Sequence, residues 1–150
     1  MVVAWIFRAE DCLSCNTPVR PFRQLQARYA DRVRFQALAV SDAPDDRALV
    51  ASFLKRERLL SFETRLLDLG QYRGSFGQQT LPAVVVLAGG RLLGVWDDRA
   101  TRVAEGFGDA RTTVDEVLQR VFAREVTDRQ ATVRTDPSKT PHPSSHQPGG

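Results

Sequence analysis

The sequence predicts an α/β fold: a central mixed sheet of about four strands, ordered βαβα and then ββα, flanked by helices. Three observations predict it. An unbroken apolar run, Val2-Val3-Ala4-Trp5-Ile6-Phe7, passes through a short polar link into Cys12-Leu13-Ser14-Cys15 and then a helical pattern. A second strand-like stretch, residues 33–40, is again followed by apolar residues at helical spacing. Thr80-Leu81-Pro82 opens a third apolar run that turns at Gly89-Gly90, returns, and precedes a final helix. Strands alternating with helices mark parallel βαβ units, and the tight glycine turn marks an antiparallel hairpin.

In chain order, residues 2–7 form the first strand, whose continuous hydrophobicity suits a position covered on both faces. A helix over about 15–30 carries Val19, Phe22, Leu25 and Tyr29 on one side. Pro18 fits its first turn, and Pro21 is expected to bend it. Strand two alternates Val33, Phe35, Ala37 and Ala39 against Leu38 and Val40. Ser41-Asp42-Ala43-Pro44 signals a turn and helix start. The helix over about 45–58 buries Leu49, Val50, Phe53 and Leu54. A short strand at 59–62 and a short helix at 64–72 are expected next, before Gly70, Gly74 and Gly77 break the pattern. The hairpin pairs residues 83–87 with 91–96. Thr113 and Glu116 read as a capping box for a helix over about 113–124. The chain divides into a domain of residues 1–126 and a tail of 127–150, whose end is rich in Pro, Ser, His and Gly and is expected to be disordered.

Composition narrows the function. With 150 residues and 42% hydrophobic content the chain builds one ordinary core. The net charge is +3, but the basic residues are spread along the chain without aromatic interleaving, which argues against nucleic acid as a partner. No stretch approaches the ~18 apolar residues of a membrane span. The N-terminus lacks the pattern of a signal peptide. The compartment therefore stays open: cytoplasmic if Met1 is the true start, extracytoplasmic if an export segment lies upstream.

The chemistry points to Cys12 and Cys15, the two cysteines of the chain. They stand where a strand hands over to a helix N-terminus, which offers unpaired N–H groups and partial positive charge. Thiol pKa values in such CxxC motifs fall to roughly 3.5–7.5 from about 8.5. Cys12 is expected to be the exposed nucleophile and Cys15, one turn on, the shielded resolving thiol. Glu10 and Asp11 oppose the thiolate and push its pKa upward. Other roles for the pair remain: small buried residues in a redox-inert interaction domain, half of a zinc site, or a carrier of a soft ion such as Cu(I). No metal site is complete, since there is no second CxxC and His142 and His146 fall in the tail. Trp5 and Trp96 read as core.

A CxxC after the first strand, with Thr80-Leu81-Pro82 about 67 residues on and entering an apolar strand, resembles the thioredoxin fold. Among its branches the chain is similar to the TlpA/ResA-type thiol–disulfide oxidoreductases (redoxin or AhpC/TSA-like domains), over about residues 2–124. The resemblance implies a cis Pro82 packed beside the dithiol, with Leu81 offering backbone hydrogen bonds to an extended substrate segment, a form of strand addition. It implies a monomer that exchanges electrons with protein thiols and disulfides and with a donor dithiol protein, without a bound cofactor. The chain departs from the pattern at Asp11, where the family has Trp. It departs again at Ile6 and Pro18, where thioredoxins and ResA-like proteins respectively place a carboxylate. The Thr or Ser that peroxidases of related label place three residues before the reactive cysteine is Ala9 here, which argues against peroxidase chemistry.

Overall fold

A computed structural model describes residues 1–12, 19–41, 43, 46–56, 58, 63–76, 80–97 and 99–134; the side chains of 11, 12, 19, 133 and 134 fall outside the description. The strands are β1 (Val2–Arg8), β2 (Arg34–Val40), β3 (Glu63–Leu67), β4 (Ala83–Ala88), β5 (Arg91–Asp97) and β6 (Thr101–Val103). The helices are α1 (Val19–Tyr29), α2 (Asp46–Arg56), α3 (Leu69–Phe76) and α4 (Val114–Arg134), with a short 3-10 turn at Ala9–Cys12.

The sheet order is β3-β2-β1-β4-β5-β6. β1, β2 and β3 run parallel; β4 is antiparallel to β1, and β5 and β6 continue antiparallel. Successive right-handed crossovers moving the same way across a sheet lay their helices on one face. Accordingly α1 and α2 share a face, joined there by α4. Phe22, Tyr29, Val50, Phe53, Leu118 and Phe122 pack with Val3, Trp5, Phe7 and Phe35 in the larger core. α3 closes the other face, where Tyr72 packs with Ala4, Ile6, Leu38, Val40, Val85 and Val95. β1 contributes to both cores through alternate residues, as its sequence predicts.

Among the described residues the sheet has six strands where about four were expected. The two additions are the edges, and each lacks a readable signal. β3 reads Glu-Thr-Arg-Leu-Leu, without alternation, and is half exposed. β6 is three residues long, too short to show a period. The helix expected over 64–72 is thus strand β3 followed by α3. Asp68 makes the break: its Oδ1 accepts from Gln71 N at 2.7 Å, and its own N–H donates to Gln71 Oε1 at 3.2 Å. That reciprocal cap fixes a helix start at residue 69. The short strand expected at 59–62 lies outside the described residues.

The Thr113–Glu116 capping box is present: Thr113 N–H donates to Glu116 Oε2 at 2.7 Å and Glu116 N–H to Thr113 Oγ1 at 3.3 Å. α4 runs on to Arg134, beyond the expected stop near 124. Its apolar stripe does end at Phe122, which is why periodicity ended there. Over residues 123–132 the helix is exposed, and it continues on residues of good intrinsic propensity such as Ala, Arg, Glu and Gln. Residues 135–150 of the expected tail lie outside the described residues.

Candidate functional site

The carboxyl end of β1 is where the sheet changes direction. From β1 the chain steps through α1 to β2 on one side. Its other neighbour, β4, is reached only after β3 and α3, and α3 covers the opposite face. In open α/β sheets the crevice outside the strand carboxyl ends at such a reversal is where ligands bind.

Two segments stand at this end of the sheet. The Ala9–Cys12 turn continues β1; Ala9 is buried in the larger core and α2 packs against the turn. On the other side, Leu81-Pro82 leads into β4, and the peptide bond between them is cis. Ile6 pairs with Ala83, so Pro82 stands one residue further out, level with Phe7. Leu81 and Pro82 are half-buried, with Leu81 packed against the smaller core. Sequence positions some 70 residues apart are thus brought to the same end of two adjacent strands.

Of the predicted site residues, Cys12 is described through its backbone, as the last residue of the turn. Its side chain, all of Cys15, and Pro18 lie outside the described residues. Glu10, within the turn, is exposed. Ile6, standing where thioredoxins have a carboxylate, is fully buried among apolar neighbours of the smaller core.

The helix that follows the dithiol is tied down at its far end. Asp115, at the start of α4, accepts from Arg28 Nη1 at 2.8 Å and from the Tyr29 hydroxyl at 2.5 Å. Hydrogen bonding to Asp115 and Tyr29 raises the Arg28 pKa above its ordinary value. Between α1, β5 and α4 lies an open groove of about 400 Å3, floored by Pro21, Leu25, Trp96 and Val114. Sequence reasoning missed it, because its walls come from three distant segments that carry no shared motif.

Trp96 is half-buried, and its indole N–H donates to the Thr112 carbonyl at 2.8 Å. The ring lies back over Gly94, two residues earlier on the same face of β5, where an added Cβ would run into it. Gly94→Ala should therefore swing the indole off Thr112 and cost about 1–3 kcal/mol of stability. Urea unfolding and the tryptophan emission spectrum read both effects; an unchanged midpoint with an unmoved spectrum would refute this packing.

Asp97 ends β5 opposite Ala83, at the same end of the sheet as Pro82. Its side chain is 2% exposed. Burial pushes its pKa up, but backbone N–H bonds from Ala100 and Arg99 and the Arg102 guanidinium outweigh it and hold the carboxyl below its ordinary value. Asp97 is thus an ionised anchor for the β5–β6 turn, with Oδ1 accepting from Arg99 N–H and Ala100 N–H at 2.9 and 2.8 Å.

No family model matches the sequence, and no curated protein matches it. Solved structures do. The thioredoxin domain of a thiol-disulfide oxidoreductase from Bacteroides vulgatus superposes with a TM-score of 0.53 at 12% identity, covering 82% of this chain and 77% of that one. A domain of a possible thiol-disulfide isomerase from Cytophaga hutchinsonii superposes with a TM-score of 0.53 at 7% identity, covering 86% and 78%. The fold is therefore thioredoxin-like, as the placement of CxxC and Leu-Pro in the sequence led us to expect.

Proposed function

We propose that the chain is a thiol–disulfide oxidoreductase acting on protein substrates through Cys12 and Cys15. The observation that carries this reading is that the Cys12 turn and the Leu81-Pro82 segment both lie at the carboxyl end of β1. The naming of the superposable proteins for thiol–disulfide chemistry agrees with it.

In the reducing direction the Cys12 thiolate attacks one sulfur of a substrate disulfide and displaces the other as thiolate, leaving a mixed disulfide. The Cys15 thiolate then attacks the Cys12 sulfur and expels the second substrate thiolate. The protein passes from dithiol to disulfide, the substrate from disulfide to two thiols, and two electrons move. A donor dithiol protein restores the reduced state; the oxidising direction is the same sequence reversed. Leu81 holds the substrate backbone in extended form and Pro82 shields the sulfurs. No bound cofactor takes part, and the acting unit is a monomer.

Cys15→Ser separates the two steps. Incubated with a disulfide-bonded peptide, this variant should accumulate a covalent adduct that mass spectrometry maps to Cys12 and that dithiothreitol releases. Absence of any adduct at Cys12, under conditions where the wild type is oxidised by the same peptide, defeats the mechanism.

A further inference from the structure

An open groove of about 550 Å3 lies at the β3 edge of the sheet, between that strand and α2. Val50, Ala51 and Leu54 of α2 and Leu66 and Leu67 of β3 give it apolar walls. α2 lines it from Arg47 to Leu54 and β3 from Thr64 to Leu67, spans of about 10 Å each at the helical and extended rises. The groove is therefore elongated, and its volume falls in the range of roughly 300–1,000 Å3 usual for small-molecule sites.

Its uncommitted polar groups are donors, gathered at one end. β2 ends at Val40, level with Leu67, and Ser41 N–H donates to the Leu67 carbonyl at 2.9 Å. α2 starts just beyond and runs back along the strands, so Arg47 in its first turn stands at this end and Leu54 toward the other. Gln71, in the first turn of α3 just after β3, stands at the Arg47 end as well. Arg47 is exposed and forms no ion pair among the described residues. Gln71 Oε1 accepts from Asp68 N–H at 3.2 Å, which leaves the Nε2 hydrogens to donate. The other arginine of the lining, Arg65, is closed on Glu63 through Nε and Nη2 at 3.0 and 2.7 Å. No carboxylate of the described residues lines the groove. Those nearest in sequence are engaged elsewhere: Glu63 with Arg65 and Gln36, Asp68 with the Gln71 N–H, and Asp46 with the Ser41 hydroxyl. An apolar trough with a guanidinium and an amide donor at one end complements a molecule that has one anionic head and an apolar chain.

We propose that this groove binds a medium-chain aliphatic carboxylate, with its head against Arg47 and Gln71 and its chain along Val50, Leu54 and Leu66. The inference does not depend on the thiol–disulfide reading.

Isothermal titration of the full chain with octanoate, octylammonium, octanol and acetate tests it. Octanoate should bind saturably, one per chain. Octylammonium, with the same chain and the opposite charge, should bind at least about tenfold more weakly, and acetate, the head alone, not measurably. Arg47→Glu, at an exposed position, should keep the wild-type urea midpoint and weaken octanoate about tenfold, while the affinity for octanol stays the same. Ala51→Trp, which fills the trough, should weaken octanoate and octanol alike. Octanoate that binds no better than octylammonium, or equally well to the wild type and both variants, overturns the inference. So does a different occupant: a dimer in sedimentation equilibrium that Ala51→Trp dissolves, or an extended peptide alternating leucine and glutamate that binds where octanoate does not.

Discussion

Cys12→Ser is expected to leave disulfide exchange at its uncatalysed rate while the protein unfolds at the wild-type denaturant midpoint. The reason is chemical. A thiolate is the nucleophile in exchange, and a serine hydroxyl neither ionises near neutral pH nor forms a mixed disulfide. The substitution changes one atom at the end of a turn whose anchor is a different residue, buried Ala9, so folding is not at stake. The Cys15 thiol that remains lacks the partner that would resolve its own adducts. Insulin reduction coupled to a dithiol donor measures turnover, and urea unfolding checks the fold. Turnover within a factor of two of wild type would remove Cys12 from the mechanism.

Trp5→Ala is expected to destabilise the fold by about 3–5 kcal/mol, the usual range for emptying a fully buried aromatic site. Trp5 is completely buried at the middle of β1. Its ring lies 4.4 Å from Phe7, 5.7 Å from Phe22 and 6.1 Å from Phe53, centroid to centroid, so it joins the sheet to α1 and α2. A loss of that size is a large share of the 5–15 kcal/mol that holds a typical domain together. Trp5→Phe should cost far less. It keeps most of the packing and removes an indole N–H that has no hydrogen-bond partner among the described residues, and a buried unpaired donor itself carries a penalty of about 1–3 kcal/mol. Urea denaturation of the two variants orders them. A deficit below about 1 kcal/mol for Trp5→Ala, or a larger one for Trp5→Phe, contradicts this account.

Much of the fold was legible because its central strands are buried on both sides. Val2–Arg8 and Ala83–Ala88 announce themselves as continuous apolar runs, and Thr113 with Glu116 marks the last helix by chemistry that needs no tertiary context. The edges were not legible for the opposite reason. Glu63–Leu67 is a strand because β2 offers it a ladder, with Gln36 Nε2 donating to Glu63 Oε2 at 2.8 Å, and not because of its own pattern. Thr101–Val103 pairs with Gly94–Trp96 after a turn organised by Asp97, a role invisible from Asp97 alone. For the site, the sequence marked Cys12, Leu81 and Pro82, and the register brings the Cys12 turn and Pro82 to one end of neighbouring strands. It did not mark the Asp115 tie to Arg28 and Tyr29, since nothing in residues 28 and 115 foretells their meeting.

The position of β1 in the middle of six strands bears on how the cysteine turn behaves in a fluctuating molecule. Local opening begins where few partners hold the backbone, at margins such as β3 and β6, and spreads inward at rising free energy. Two ladders insulate β1 from that fraying on the β5–β6 side, and one fewer on the β3 side. A loosened margin thus leaves the carboxyl end of the central strand where it was, and the turn that follows it keeps its anchorage in the core.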